Sequence, residues 1–183
     1  ILIDDLTGSA TFNAPVSITD RRAGGIEVTG SSGDVTFSEN VILTDHTTAS
    51  TESGVLVDGL LDGSVVEFTE LLTVTSTVVA AGSAERTDGH GIEVRDGATG
   101  SLFRAQGVTT VNSANLSSIF VDSNAGNVEF NGETRVSNRL VEGIAVENNS
   151  GQVLFGARNP RQNTQVNNEL LSQSAAIEIL TNS

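Results

Sequence analysis

Phe recurs in this chain at one kind of place. Six of the seven Phe residues (Phe12, Phe37, Phe68, Phe103, Phe130 and Phe155) close a short alternating segment. Nine positions before five of them stands a β-branched residue: Ile3, Val28, Val94, Val121 and Val146. The Phe68 segment keeps the order with two extra residues and pairs with Val57. Those earlier residues close a second motif, ILI, IEV, VLV, IEV, IFV and IAV, and IEI at 177–179 opens a seventh unit. A fixed order of short period-two segments at a spacing of 25–37 residues is a repeat, and a repeat decides the fold before any other feature does.

A third alternating segment follows most of the Phe residues, as in Val16-Ser17-Ile18, Val41-Ile42-Leu43, Leu72-Thr73-Val74 and Thr134-Arg135-Val136. In the unit that begins at Ile92, Val108 and Val111 both qualify as its inward residue. No segment sustains a helical stripe, whereas strands of three or four residues separated by Gly, Asn, Asp and Ser satisfy the strand rules. Three strands per unit pack most economically as a coil, with equivalent strands stacked into three parallel sheets. The expectation is an all-β parallel β-helix of about six rungs with a column of Phe inside, in one domain spanning 1–183. Gly8, Gly33, Gly126 and Gly151 stand four residues before their Phe, with Gly63 and Gly100 one residue off that register. A recurring positive-φ turn is the expected cause. Loop length varies mainly after the third strand, at 44–54, 75–91 and 167–176, where contact functions of solenoids usually sit.

Composition removes several function classes. Acids outnumber bases 23 to 9, giving a net charge of −14. Such a surface repels phosphate backbones and anionic lipid, so nucleic acid is not an expected partner. Without Cys there are no disulfides, thiolate nucleophiles or zinc-thiolate sites. No apolar run is long enough to insert this segment in a bilayer. The chain opens at Ile1 without an initiator Met, which reads as a mature product or an excised fragment, with end-to-end or homo-oligomeric packing as one way to cover open rungs.

GIEV at 25–28 and 91–94, GIAV at 143–146 and the V-x-F and V-x-[IL] segments that follow resemble the right-handed parallel β-helix of the pectate-lyase-like superfamily. The resemblance implies a secreted or surface-displayed protein: a polysaccharide lyase or hydrolase, a phage tailspike, or an autotransporter-type passenger. FSEN at 37–40 and GGI at 24–26 are also similar to repeats of polymorphic outer-membrane proteins. An enzyme of the superfamily would use the column after the first strand, here Asp4, Thr29, Asp58, Arg95, Asp122 and Glu147. Asp58 and Asp122 would then be calcium ligands and Arg95 the base or charge stabiliser. One carboxylate per rung falls short of the six to eight oxygens calcium takes, so a sign-alternating surface ladder is the competing explanation.

Gly89-His90-Gly91 is similar to the segment around a catalytic His in polygalacturonase-like enzymes, though their NTD, paired DD and RIK segments are missing from the matching places. The long loops add Asp45, His46, Arg86 and Asp88 as contact residues. Ice-binding coils carry flat Thr ladders, and the outward position of the second strand, expected as Thr11, Thr36, Glu67, Leu102, Glu129 and Leu154, is no such ladder. Outward apolar residues include Leu60, Leu61, Leu71, Leu102, Phe120 and Leu154, with Leu170 and Leu171 in the last loop. The expected function is a non-catalytic extracellular module, an adhesin-like passenger or spacer, whose long loops meet a glycan or protein of a host or cell surface. A lyase or hydrolase is the alternative, and a tailspike-like segment a third.

Overall fold

Alternation of β-branched or aromatic residues with polar ones gives each segment one face that must leave water, and closure into a coil buries all of those faces together. The structure, a computed structural model, describes residues 1–19, 24–44, 52–75, 89–113, 116–138, 142–156, 164–168 and 177–180. Within them the strands assemble into three parallel sheets of seven, six and six strands, each strand pairing with its equivalents one coil away. We call these sheets A, B and C, for the first, second and third strand of each unit. Sheet A runs from Leu2–Asp4 to Ile177–Leu180. Its inward positions are the Ile and Val of the expected columns, in register from Ile26↔Val55 through Ile119↔Ile144. The chain is a parallel β-solenoid.

The Phe residues fill the interior as expected, with one displacement. Phe12, Phe37 and Phe68 stack face to face at centroid spacings of 4.6 and 4.7 Å, as do Phe130 and Phe155 at 5.0 Å. Phe103 meets its neighbours tilted, at interplanar angles of 49° and 52°. Its register explains the tilt: Phe103 pairs with Val66 and Val128, while Ala105 occupies the place of Phe68 and Phe130. The preceding turn has the length found before Phe68. In both, a buried Ser follows a positive-φ Gly (Gly63-Ser64 and Gly100-Ser101), and the Ser N–H closes back on the carbonyl three residues earlier. The outward position expected for Leu102 therefore belongs to Arg104, which sits between Glu67 and Glu129 and bonds both, at 3.4 and 2.9 Å. Leu60 is also inside, 2 % exposed, rather than outward. In the unit of Ile92, Val111 is the inward residue of sheet C, together with the buried Thr109.

The expected positive-φ turn is present at Gly63 and Gly100, with φ of 80° and 92°, but the four glycines in strict register have a different cause. None of Gly8, Gly33, Gly126 and Gly151 has a positive φ. Gly33, Gly126 and Gly151 are places where the preceding coil touches: a Cβ on Gly33 would lie 1.7 Å from the Gly8 carbonyl oxygen, and one on Gly151 equally close to that of Gly126. The left-handed column lies directly after sheet A, in Asp5, Gly30, Gly59, Asp96, Ser123 and Asn148, with φ between 47° and 64°. Each of these residues donates its N–H to a carbonyl of the next coil, from Asp5 to Thr29 through Asn148 to Leu180, so one left-handed residue turns the chain while the ladder continues.

Candidate functional site

The outward side chains of sheet A make two columns. One is the expected Asp4, Thr29, Asp58, Arg95, Asp122 and Glu147. The other is Leu2, Glu27, Leu56, Glu93, Phe120 and Ala145. Over the middle of the second column lie the ends of two loops, which contribute Glu52, Ser53 and His90. Together with Glu27, Leu56, Glu93, Arg95 and Phe120 they enclose a cleft of about 550 Å³.

Glu93 is the peg of this cleft. It sits on the outer face of a sheet yet is only 9 % exposed. A buried carboxylate needs its charge matched and its lone pairs filled. Arg95 Nη1 donates to one Glu93 oxygen at 3.0 Å, and the Ser53 hydroxyl to the other at 2.5 Å. Ser53 Oγ in turn accepts the His90 backbone N–H at 3.1 Å, so a single hydroxyl ties both loop ends to the sheet. Arg95 divides itself between Glu93 and Asp58, reaching the Asp58 carboxylate through Nε and Nη2 at 3.0 and 2.8 Å. Those bonds to Asp58 raise the Arg95 pKa further above its ordinary value.

The His90 ring stacks on Phe120 with centroids 4.3 Å apart and planes within 9°. Burial lowers its pKa and outweighs the opposing pull of Glu93, so the imidazole is neutral at pH 7. The two glycines that flank it are demanded by packing. A Cβ on Gly89 would come within 2.3 Å of the Glu52 carbonyl oxygen, and one on Gly91 within 2.5 Å of that of Ser118. Packing thus accounts for both glycines of Gly89-His90-Gly91. At the far wall, Glu52 accepts the Gly24 N–H at 2.6 Å and stands beside Glu27. Partial burial and the neighbouring Glu52 charge raise the Glu27 pKa above its ordinary value.

The structure therefore brings three sequence candidates together, Asp58, Arg95 and His90. Asp122 is next in register to Arg95 but takes its hydrogen bond from Asn148 Nδ2, at 3.1 Å. Asp45, His46, Arg86 and Asp88 lie outside the described residues, as do Leu170 and Leu171. Among the described residues no group of three or more His, Asp or Glu is placed to hold a metal ion. Glu27, Glu52, Ser53, Leu56 and Glu93 went unnoticed in the sequence. A Glu placed outward between Leu56 and Phe120 was the available sign of Glu93, since an isolated charge between apolar outward neighbours implies something that covers it.

A parallel β-solenoid with a preformed, partly apolar cleft on one sheet is the class these features define. No protein-family model, curated protein or solved structure matches the chain.

Proposed function

We propose that this chain is a non-catalytic binding module of a secreted or cell-surface protein, an adhesin-like passenger on a right-handed, pectate-lyase-like coil, and that it holds its target in the sheet A cleft. The observation that carries this reading is the Ser53–Glu93–Arg95–Asp58 bond network. It fixes the cleft wall in advance of binding and engages its central charges with one another, the arrangement of a rigid recognition surface rather than of a working acid and base. The surface left for contact is the Leu56, Phe120 and His90 wall, edged by carboxylates that accept hydroxyl protons. With a net charge of −14 the module turns anionic polymers away, so the target is a neutral glycan.

The test is retention of the chain on immobilised neutral and acidic glycans. Wild type should be held by a neutral glycan and Phe120→Ala released, with circular dichroism unchanged. Retention on none of them, or a preference for acidic ones, overturns the reading. One observation favours a hydrolase as the second reading: two carboxyls, Glu27 and Glu52, stand side by side in the cleft, and the Glu27 pKa is raised by burial and by its neighbour. Reducing ends released by wild type and not by Glu27→Gln would replace binding with catalysis.

A further inference from the structure

Sheet C has an outer face unlike the other two. Over four consecutive strands its outward positions read Ser17, Ile42, Thr73 and Thr110 in one column and Thr19, Thr44, Thr75 and Asn112 in the other. None of the eight is charged, and all are exposed or half-exposed; the next strand ends the array with Arg135, which is in register with Thr110. The pairing runs without a slip from Val16↔Val41 to Val74↔Val111, so the columns are straight. Sheet A presents Asp58, Glu93, Arg95 and Asp122 at the same kind of position, and sheet B presents Glu67, Arg104 and Glu129. Strand propensity accounts for Thr at exposed sites. It does not account for eight adjoining outward positions without a charge in a chain that carries 23 acids and 9 bases.

Charge depletion marks a contact surface, and the residues that remain say what it contacts. Protein interfaces concentrate Tyr, Trp, Phe, Met and Arg at their centres and leave Ser and Thr out of their hot spots. This patch has no aromatic residue for a protein partner or a sugar ring to pack on. Its content is hydroxyls beside methyls, repeating about 4.8 Å across strands and about 6.7 Å along them. Such an array holds water in rows: each hydroxyl anchors a molecule, and each methyl confines its neighbour. Rows at that spacing are close to the repeats of oxygen atoms on the low-index faces of hexagonal ice. Charged side chains would instead bind water in arrangements the lattice rejects. We infer that the outer face of sheet C binds the surface of ice crystals, a function separate from the sheet A cleft.

The experiment freezes the purified chain slowly from dilute solution, measures its partition into the ice and follows grain growth in annealed frozen films. Thr73→Lys and Thr110→Lys place a charge in the middle of the array. Thr36→Lys places the same charge on the outer face of sheet B, and circular dichroism with melting curves checks each fold. Wild type and Thr36→Lys should enter the ice and slow grain growth, while Thr73→Lys and Thr110→Lys should lose both effects with their folds intact. Exclusion of the wild type from ice overturns the inference. Equal loss in Thr36→Lys also overturns it, because the effect would then follow net charge rather than this face.

Discussion

Ala105 occupies the interior position that other coils give to Phe, and Phe103 fills the Val position two residues earlier. The coil holds one large and one small side chain in either order, so the two positions should be strongly coupled. Ala105→Phe alone adds a ring beside Phe103 and should cost about 1–3 kcal/mol by overpacking. Phe103→Val alone opens a cavity and should cost less than the about 3–5 kcal/mol typical of Phe→Ala. The double variant restores the order of the neighbouring coils and should recover much of the combined loss, with a coupling energy of about 0.5–3 kcal/mol read from urea midpoints. Strictly additive losses would show that the tilted Phe103 is independent of Ala105. The exchange was hard to see in sequence because Phe103 keeps the nine-residue distance from Val94 found in four other units. What differs is the number of residues the turn consumes, and its traces in the sequence were the off-register Gly100 and the ambiguity between Val108 and Val111. The glycine column was visible, but its cause was not. The contact that excludes a Cβ at Gly33 comes from Gly8, one coil away.

At the scale of elements, strands and sheets were legible because period two is written within each segment, whereas the cleft was not, because it joins Ser53 of one coil to His90 and Glu93 of the next, 37 and 40 positions distant. Its protonation gives a test. The His90 pKa lies below the ordinary 6.5, chiefly through burial, so the folded state favours the neutral ring. The unfolded chain then binds the proton first. Stability should be independent of this group above pH 6.5 and fall as pH drops from 6.5 to the folded value. Glu27 has the opposite sign, because its folded pKa is raised above 4.5. It returns stability as pH falls through that folded value toward 4.5. Urea midpoints of wild type and His90→Gln, compared between pH 7.5 and 4.5, should separate the terms: His90→Gln loses the decline below pH 6.5 and keeps the Glu27 contribution. A variant that declines in parallel with wild type would remove His90 from the acid response.

Across the whole molecule, stacking in register brings every outward charge near its counterpart on the next coil, about 4.8 Å away. Where signs alternate, as in Glu67–Arg104–Glu129, the column is favourable, but exposed pairs of this kind contribute only about 0–1 kcal/mol each. Where they do not alternate, as at Asp122↔Glu147, like charges face each other. With 23 acids against 9 bases the net charge is −14, so repulsion over the whole solenoid should outweigh its ion pairs. Screening then stabilises the fold. Raising sodium chloride from about 0.01 M to about 0.15 M shortens the screening length from roughly 30 Å to roughly 8 Å, enough to quiet repulsion beyond adjacent coils. The melting temperature should rise over that range and level off. A fall instead would mean that the Arg95 and Arg104 networks, which salt weakens, outweigh the repulsion of the whole column.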